Sequence, residues 1–244
     1  MNKIFTDEFD VRLNEVDIRG KVKPCHIFNW FQHVSSYHSS AAGYPVTDLI
    51  KKNLTWVVTR YHTVIKSYPL WRDKISVSTW RSGEKSDFAP REFNVKNSSD
   101  EKIVYSTSSF RLIDLETRRP VSPKDHLPGY PIYKKREIDD DFESVEEFKT
   151  PDFEQKINVR RSDLDINNHV NNTLYIDWAI ESIPDKIFKN KDITELEIAF
   201  KKEAFYNDKV ISLTKTCEKK DTFLHRIERV SDGAVLAKLK TKWT

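Results

Sequence analysis

Phe9-Asp10-Val11-Arg12-Leu13-Asn14 alternates apolar and polar side chains, the period of a half-buried strand. The period then lengthens. Ile27, Phe28, Trp30, Phe31 and Val34 fit a buried helix that should stop near Gly43, with Pro45 just beyond. Asn53 to Tyr68 is β-branched and aromatic and predicts a long strand, turned by Pro69-Leu70-Trp71-Arg72-Asp73. Lys74 to Trp80, Glu92 to Val95 and Lys102 to Leu112 predict an antiparallel meander, with Asn97-Ser98-Ser99-Asp100 as one turn. The pattern so far is strand, helix, then several strands: a curved antiparallel sheet around one helix.

From Thr117 to about Gln155 the periodicity is lost. Pro120, Pro123, Pro128 and Pro131 crowd together, followed by Lys134-Lys135-Arg136 and Asp139-Asp140-Asp141, the composition of a linker. The first order then returns. Lys156 to Arg160 predicts a strand, and Val170 to Ile183 a helix stopped by Pro184. Ile193 to Ala204 predicts a strand, Tyr206 to Lys209 a turn, and Val210 to Cys217, Thr222 to Val230 and Val235 to Trp243 a second meander, with Ser231-Asp232-Gly233 as its hairpin turn.

The two halves match in register. Val11, Asp17, Val22 and Trp30 correspond to Val159, Asp165, Val170 and Trp178, each 148 positions on. Past a longer connection in the first half, Asp73 corresponds to Asp208, 135 positions on. A strand–loop–helix unit repeated this way indicates duplication. The apolar positions recur, as helix cores must. The polar ones do not: Asn167 replaces Arg19 and His169 replaces Lys21.

Composition bounds the reading. A chain of 244 residues, 38% hydrophobic and 12% aromatic, has ample material for a core. A net charge of +3 marks no dedicated nucleic-acid binder. No apolar run approaches the roughly 18 residues of a membrane span. The opening Met1 to Glu8 lacks the apolar region of a secretory signal. Cys25 and Cys217 read as reduced thiols of a cytoplasmic protein. The histidines show no metal-ligand spacing, and no cofactor is called for.

The candidate chemistry lies in Arg161 to Glu181, a polar Asn/Asp loop around His169 that runs into the second helix. Asn and Asp in such a loop also serve simply as helix caps. The first copy keeps neither Asn167 nor His169, which favours chemistry over capping. A helix starting near Val170 would set His169 beside an N-terminus that favours developing negative charge.

Ser162-Asp163-Leu164-Asp165-Ile166-Asn167-Asn168-His169-Val170-Asn171-Asn172, with Tyr175, Trp178, Glu181-Ser182 and Pro184, resembles the acyl-acyl carrier protein (ACP) thioesterases of plants and bacteria. So do Trp56, Thr59-Arg60, Tyr68 to Asp73, Thr79-Trp80 and Thr117-Arg118-Arg119-Pro120. The resemblance covers nearly the whole chain. It implies an α+β double hotdog, two antiparallel sheets each wrapped around a long central helix. Residues 1–125 would form an N-terminal hotdog governing acyl-chain specificity, 126–155 a linker, and 156–244 the catalytic hotdog. It also implies catalytic roles for Asp165, Asn167, His169 and Glu203, the last on the strand after the helix. Many plant members carry a Cys after that Glu. Here it is Ala204, and the first-half counterpart of Glu203 is Tyr68.

With no thiol in the motif and no Gly-x-Ser-x-Gly elbow, water is the expected nucleophile, with either Glu203 or His169 taking its proton. Asn167 and His169 would hold the water or the carbonyl, Asp165 would orient its neighbours, and the helix N–H groups would receive the oxyanion. Phe28, Trp30, Phe31, Val34, Trp56 and Val58 are candidates to line an acyl pocket. The implied partner is acyl carrier protein, an acidic protein, with Lys51-Lys52, Arg118-Arg119, Lys134-Lys135-Arg136 and Lys201-Lys202 as candidate docking charges; a homodimer is the further expectation. Competing readings are an acyl-CoA thioesterase, a non-catalytic acyl- or lipid-binding double hotdog, and a dehydratase of the same fold.

Overall fold

The computed structural model describes residues 2–84 and 88–244. The chain divides into two compact units, Met1–Asp141 and Phe142–Thr244.

In the first unit, strand β1 (Phe5–Asp10) leads through a 3₁₀ turn (Leu13–Glu15) to helix α1 (Pro24–Ala41) and a short α2 (Val46–Lys51). Strands β2 (Leu54–Ile65), β3 (Lys74–Arg81), β4 (Ala89–Asn97) and β5 (Lys102–Asp114) follow, then β6 (Pro120–Val121) and a turn of helix, α3 (Pro123–His126). All pairings are antiparallel, in the order β1-β3-β4-β5-β2, with β6 added on β5.

Pro24 at the first helical position starts α1, because its missing N–H would have no intrahelical partner there. Gly43, at φ +85°, ends it. Ile27, Phe28, Phe31 and Val34 are fully buried on the face turned to the sheet, and α1 packs on β3 and β1. The Phe31 ring stacks on Phe93 of β4 with centroids 4.4 Å apart, and Phe28 meets Tyr61 of β2 edge-on at 5.1 Å. Each such buried side chain contributes about 1.5–3 kcal/mol. The first strand lies earlier than the alternation over 9–14 suggests, because Glu15 folds back to accept the Arg12 N–H and closes a turn there.

The second unit repeats the plan. Strand β7 (Phe153–Asn158), a 3₁₀ turn (Arg161–Asp163), helices α4 (Leu174–Ile180) and α5 (Asp185–Asn190), and strands β8 (Ile193–Phe200), β9 (Lys209–Thr216), β10 (Thr222–Arg229) and β11 (Val235–Trp243) follow in sequence. The antiparallel order β7-β9-β10-β11-β8 is that of the first unit, element for element. Helix α4 packs on β9, β10 and β11 and buries Tyr175, Ile176, Trp178 and Ala179.

One expectation is corrected. The second helix has 7 residues, against 18 in α1, and does not begin near Val170. No proline stands where Pro24 starts the first helix, and at the other end the Ser182 hydroxyl takes the Ala179 carbonyl just before Pro184. The stretch 126–155 is divided between the units. Its first part is bound to the outer face of the first sheet: buried Glu92 of β4 accepts the Glu137 N–H at 3.0 Å and pairs with Arg136 at 3.1 Å, and Asp140 bonds His62 at 2.7 Å. Its last residues already belong to β7.

A buried polar chain crosses the second unit. Ser182 bonds Thr214 at 2.6 Å, Thr214 bonds His225 Nδ1 at 2.7 Å, and His225 Nε2 meets Thr241 at 2.9 Å. Burial pushes His225 down to about 3, so the ring is neutral. Among the described residues, no helix is long and apolar enough to cross a membrane.

Candidate active site

The loop after β7 is built by its own side chains. Asp163 is 2% exposed; its carboxylate accepts the Arg160 N–H at 2.8 Å and holds the Arg160 guanidinium at 2.9 Å. Asp165 then closes a tight turn. Its N–H donates to the His169 carbonyl at 2.7 Å, its carbonyl accepts the Asn168 N–H at 3.0 Å, and its carboxylate accepts the Asn167 N–H at 2.8 Å. Asn168 takes φ +62°, a region asparagine tolerates better than most residues.

The facing wall is the loop after β8. Val170 N–H donates to the Ala204 carbonyl at 2.9 Å, Ala204 N–H donates to the Tyr175 hydroxyl at 3.0 Å, and Arg229 Nη2 donates to the Glu203 carbonyl at 2.7 Å. Glu203 is therefore not on a strand: β8 ends at Phe200, three residues earlier.

These two loops bring His169 and Glu203 together. His169 Nδ1 stands 3.2 Å from Glu203 Oε1, and the Phe205 ring meets the imidazole edge-on at 5.1 Å. The side chains are 22% and 43% exposed, so water reaches both. Asn167 is exposed; its amide meets the Asp165 carboxylate at a long 3.4 Å. Asp165 faces its own loop, as a brace.

The oxyanion site expected at the helix start is corrected. Helix α4 begins five residues after His169. The Thr173, Leu174 and Tyr175 N–H groups are taken by the Asn171 side chain, the Asn171 carbonyl and the Asn172 carbonyl.

Phe28, Trp30, Phe31, Val34 and Val58 are at most 6% exposed, and Trp56 packs against the cluster of Leu49, Leu54 and Leu112. They fill the interior of the first unit. A cavity of about 570 Å³ in the same unit is bounded by Asn2, Ile4, Phe5, Thr6, His38, Ala41 and Ala42. His38 accepts from Arg91 at 3.1 Å, and burial, then Arg91 and Arg81, push it down to about 3.

Of the candidate docking charges, Arg136 is engaged with Glu92 and Thr107, and Lys51 pairs with Asp48, while Lys134, Lys135 and Lys202 are exposed. Neither thiol belongs to the site. Cys25 is buried in α1, and Cys217 follows β9 with burial pushing its thiol up. The residues missed in the sequence are Asp163, Tyr175 and Arg229 as supports of the two loops. Asp163 and Tyr175 stand in the quoted motif, but nothing there gives their partners, and nothing local marks Arg229.

Two units of identical strand order, each with a helix on its sheet, the second carrying His169 and Glu203 where the first has Lys21 and Tyr68, define a double-hotdog protein. Residues 2–128 match the acyl-ACP thioesterase N-terminal domain and residues 146–244 the acyl-ACP thioesterase C-terminal domain. The chain belongs to the acyl-ACP thioesterase family.

Among its relatives, a chloroplastic oleoyl-acyl carrier protein thioesterase of Coriandrum sativum is 29% identical over 251 residues, covering 96% of this chain and 68% of that protein. A chloroplastic palmitoyl-acyl carrier protein thioesterase of Arabidopsis thaliana is 26% identical, covering 99% of this chain and 64% of that one. Among solved structures, the 12:0-ACP thioesterase of Umbellularia californica superposes with a TM-score of 0.89 at 25% identity, covering 100% of this chain and 98% of that one. An acyl-ACP thioesterase of Bacteroides thetaiotaomicron gives 0.87 at 25% identity, covering 99% and 98%.

Proposed function

We propose that this protein hydrolyses the thioester of fatty acyl-ACP, releasing free fatty acid and ending chain growth. The observation that carries the reading is the solvent-reached pair of His169 Nδ1 and Glu203 Oε1 at 3.2 Å, in a chain whose family members act on such thioesters. In the first copy the corresponding residues are Lys21 and Tyr68.

With Nδ1 turned to Glu203, the carboxylate holds the Nδ1 proton and leaves Nε2 to take a proton from water. The hydroxide adds to the thioester carbonyl. The tetrahedral intermediate expels the carrier thiolate, which the imidazolium reprotonates. The exposed Asn167 amide, held among the described residues by a long 3.4 Å contact, is the donor this loop offers to the carbonyl oxygen. Asp165 keeps the loop in shape. Acyl carrier protein is the partner, and two free thiols suit a reducing, cytoplasmic setting.

The test is thiol release from a panel of acyl-ACP substrates, with the same acyl chains on coenzyme A as the second arm. Faster turnover on the protein carrier is expected. Equal or faster turnover on coenzyme A assigns a different carrier, and no release on either ends the hydrolase reading.

A further inference from the structure

We infer that Tyr175 is a positioning residue for Glu203: its hydroxyl holds the Ala204 N–H, and through that peptide the Glu203 side chain is kept on His169. The inference rests on the hydrolase reading above. Tyr175 is 2% exposed and lies in the first turn of α4, while Ala204 is fully buried in the loop after β8. The N–H to hydroxyl distance is 3.0 Å. The same short segment is held at two further points, by Val170 N–H on the Ala204 carbonyl at 2.9 Å and by Arg229 on the Glu203 carbonyl at 2.7 Å. The segment carrying Glu203 is thus tied to the loop carrying His169, although β8 has already ended.

The first unit shows what this arrangement replaces. There the counterpart of Ala204 is Pro69 and that of Tyr175 is Ile27, which is fully buried. Val22 N–H still donates to the Pro69 carbonyl, at 3.0 Å, as Val170 does to Ala204. Proline has no N–H to satisfy and fixes its own φ, so the first loop is set without a hydroxyl. An apolar side chain therefore suffices to fill this place in the fold. The hydroxyl appears only where the proline is gone and a carboxylate must be aimed. Burial holds the Tyr175 phenol above its ordinary value, so the group at this bond is the neutral hydroxyl.

The experiment compares Tyr175→Phe, Ala204→Pro and the double variant with wild type, by steady-state kinetics on one acyl-ACP and by thermal unfolding. Tyr175→Phe keeps the ring and strands the Ala204 N–H; kcat is expected to fall about tenfold or more with KM within about twofold, the signature of lost aim rather than lost binding. Adding Ala204→Pro removes the stranded donor, and kcat is expected to return to within about threefold of wild type. Unchanged kcat in Tyr175→Phe overturns the inference, and so does a double variant that stays as slow as the single one. If Tyr175→Phe does not fold, Ala204→Pro alone decides: retained kcat supports the positioning role, and loss overturns it. A wild type without thioesterase activity would refute the hydrolase reading instead, so the two failures are distinct.

Discussion

Asp165 and Asp17 hold the same post in the two loops. Each donates its N–H to the carbonyl four residues on, at 2.7 Å in both copies, and each carboxylate accepts the N–H two residues on at 2.8 Å. The contacts common to both loops belong to the scaffold. Replacing either Asp with Ala should lower stability by about 1–2 kcal/mol, through the lost hydrogen bonds of a polar turn. Only Asp165→Ala should also slow thioester cleavage. Denaturant unfolding and kinetics on the two variants check this, and an Asp17→Ala enzyme as slow as Asp165→Ala would contradict it.

Gly20, at φ +74°, and Asn168, at φ +62°, are the left-handed residues of the same two turns. A Cβ on Gly20 would meet nothing within 4 Å, so the cost of Gly20→Ala is one of backbone alone, about 1 kcal/mol. Asn168→Gly should fall within about 0.5 kcal/mol of wild type, whereas Asn168→Val should cost more than Gly20→Ala. Urea midpoints at constant slope measure all three.

His169→Ala should reduce kcat/KM by about 10²–10⁴-fold, the usual range for a lost general base. Glu203→Gln keeps the shape and an acceptor for the Nδ1 proton and should cost less than His169→Ala. Lys21→Ala, at the matching place in the first copy, should leave turnover unchanged. Circular dichroism confirms folding in each case. Near-normal turnover by folded His169→Ala removes the imidazole from the mechanism.

Two buried histidines give the fold a defined acid sensitivity. His225 and His38 drop from an ordinary 6.5 to about 3 in the folded chain, His225 through burial and His38 through burial and then its two arginine neighbours. Above pH 6.5 neither folded nor unfolded chain protonates them, and their contribution to stability is complete. Between pH 6.5 and about 3 the unfolded chain takes up protons that the folded chain refuses, so stability falls by about 1.4 kcal/mol per pH unit for each ring. His225→Gln should flatten the measured slope between pH 6 and 4 by about that amount. An unaltered slope would show that His225 is not neutral in the folded state.

Strand order and the doubling were legible because hydrophobic period survives in local sequence. The 148-residue register, from Val11–Val159 to Trp30–Trp178, sets equivalent strands and helices in both units. What local sequence does not carry is who meets whom across the fold. His169 and Glu203 are 34 positions apart and share no spacing rule; their pairing was read through family resemblance. The stretch before Asp141 looked like a linker because its prolines break every period, yet its partner, Glu92 of β4, is a buried side chain more than 40 residues earlier. The second helix looked longer because apolar spacing continues through Val170, where backbone bonds to the Ala204 loop displace helical ones. Phe28, Trp30, Phe31, Val34, Trp56 and Val58 are large and apolar, a property that suits a core and an acyl pocket alike, so local sequence does not separate the two roles.

The matched loops give the molecule an internal blank. The Asp17 and Asp165 turns share backbone bonds that agree within about 0.1 Å. Amide exchange followed at Gly20 and Asn168 in one sample therefore subtracts scaffold behaviour from behaviour caused by substrate. A change on adding substrate that appears at Asn168 and not at Gly20 is then a signal of turnover, obtained without preparing a second protein.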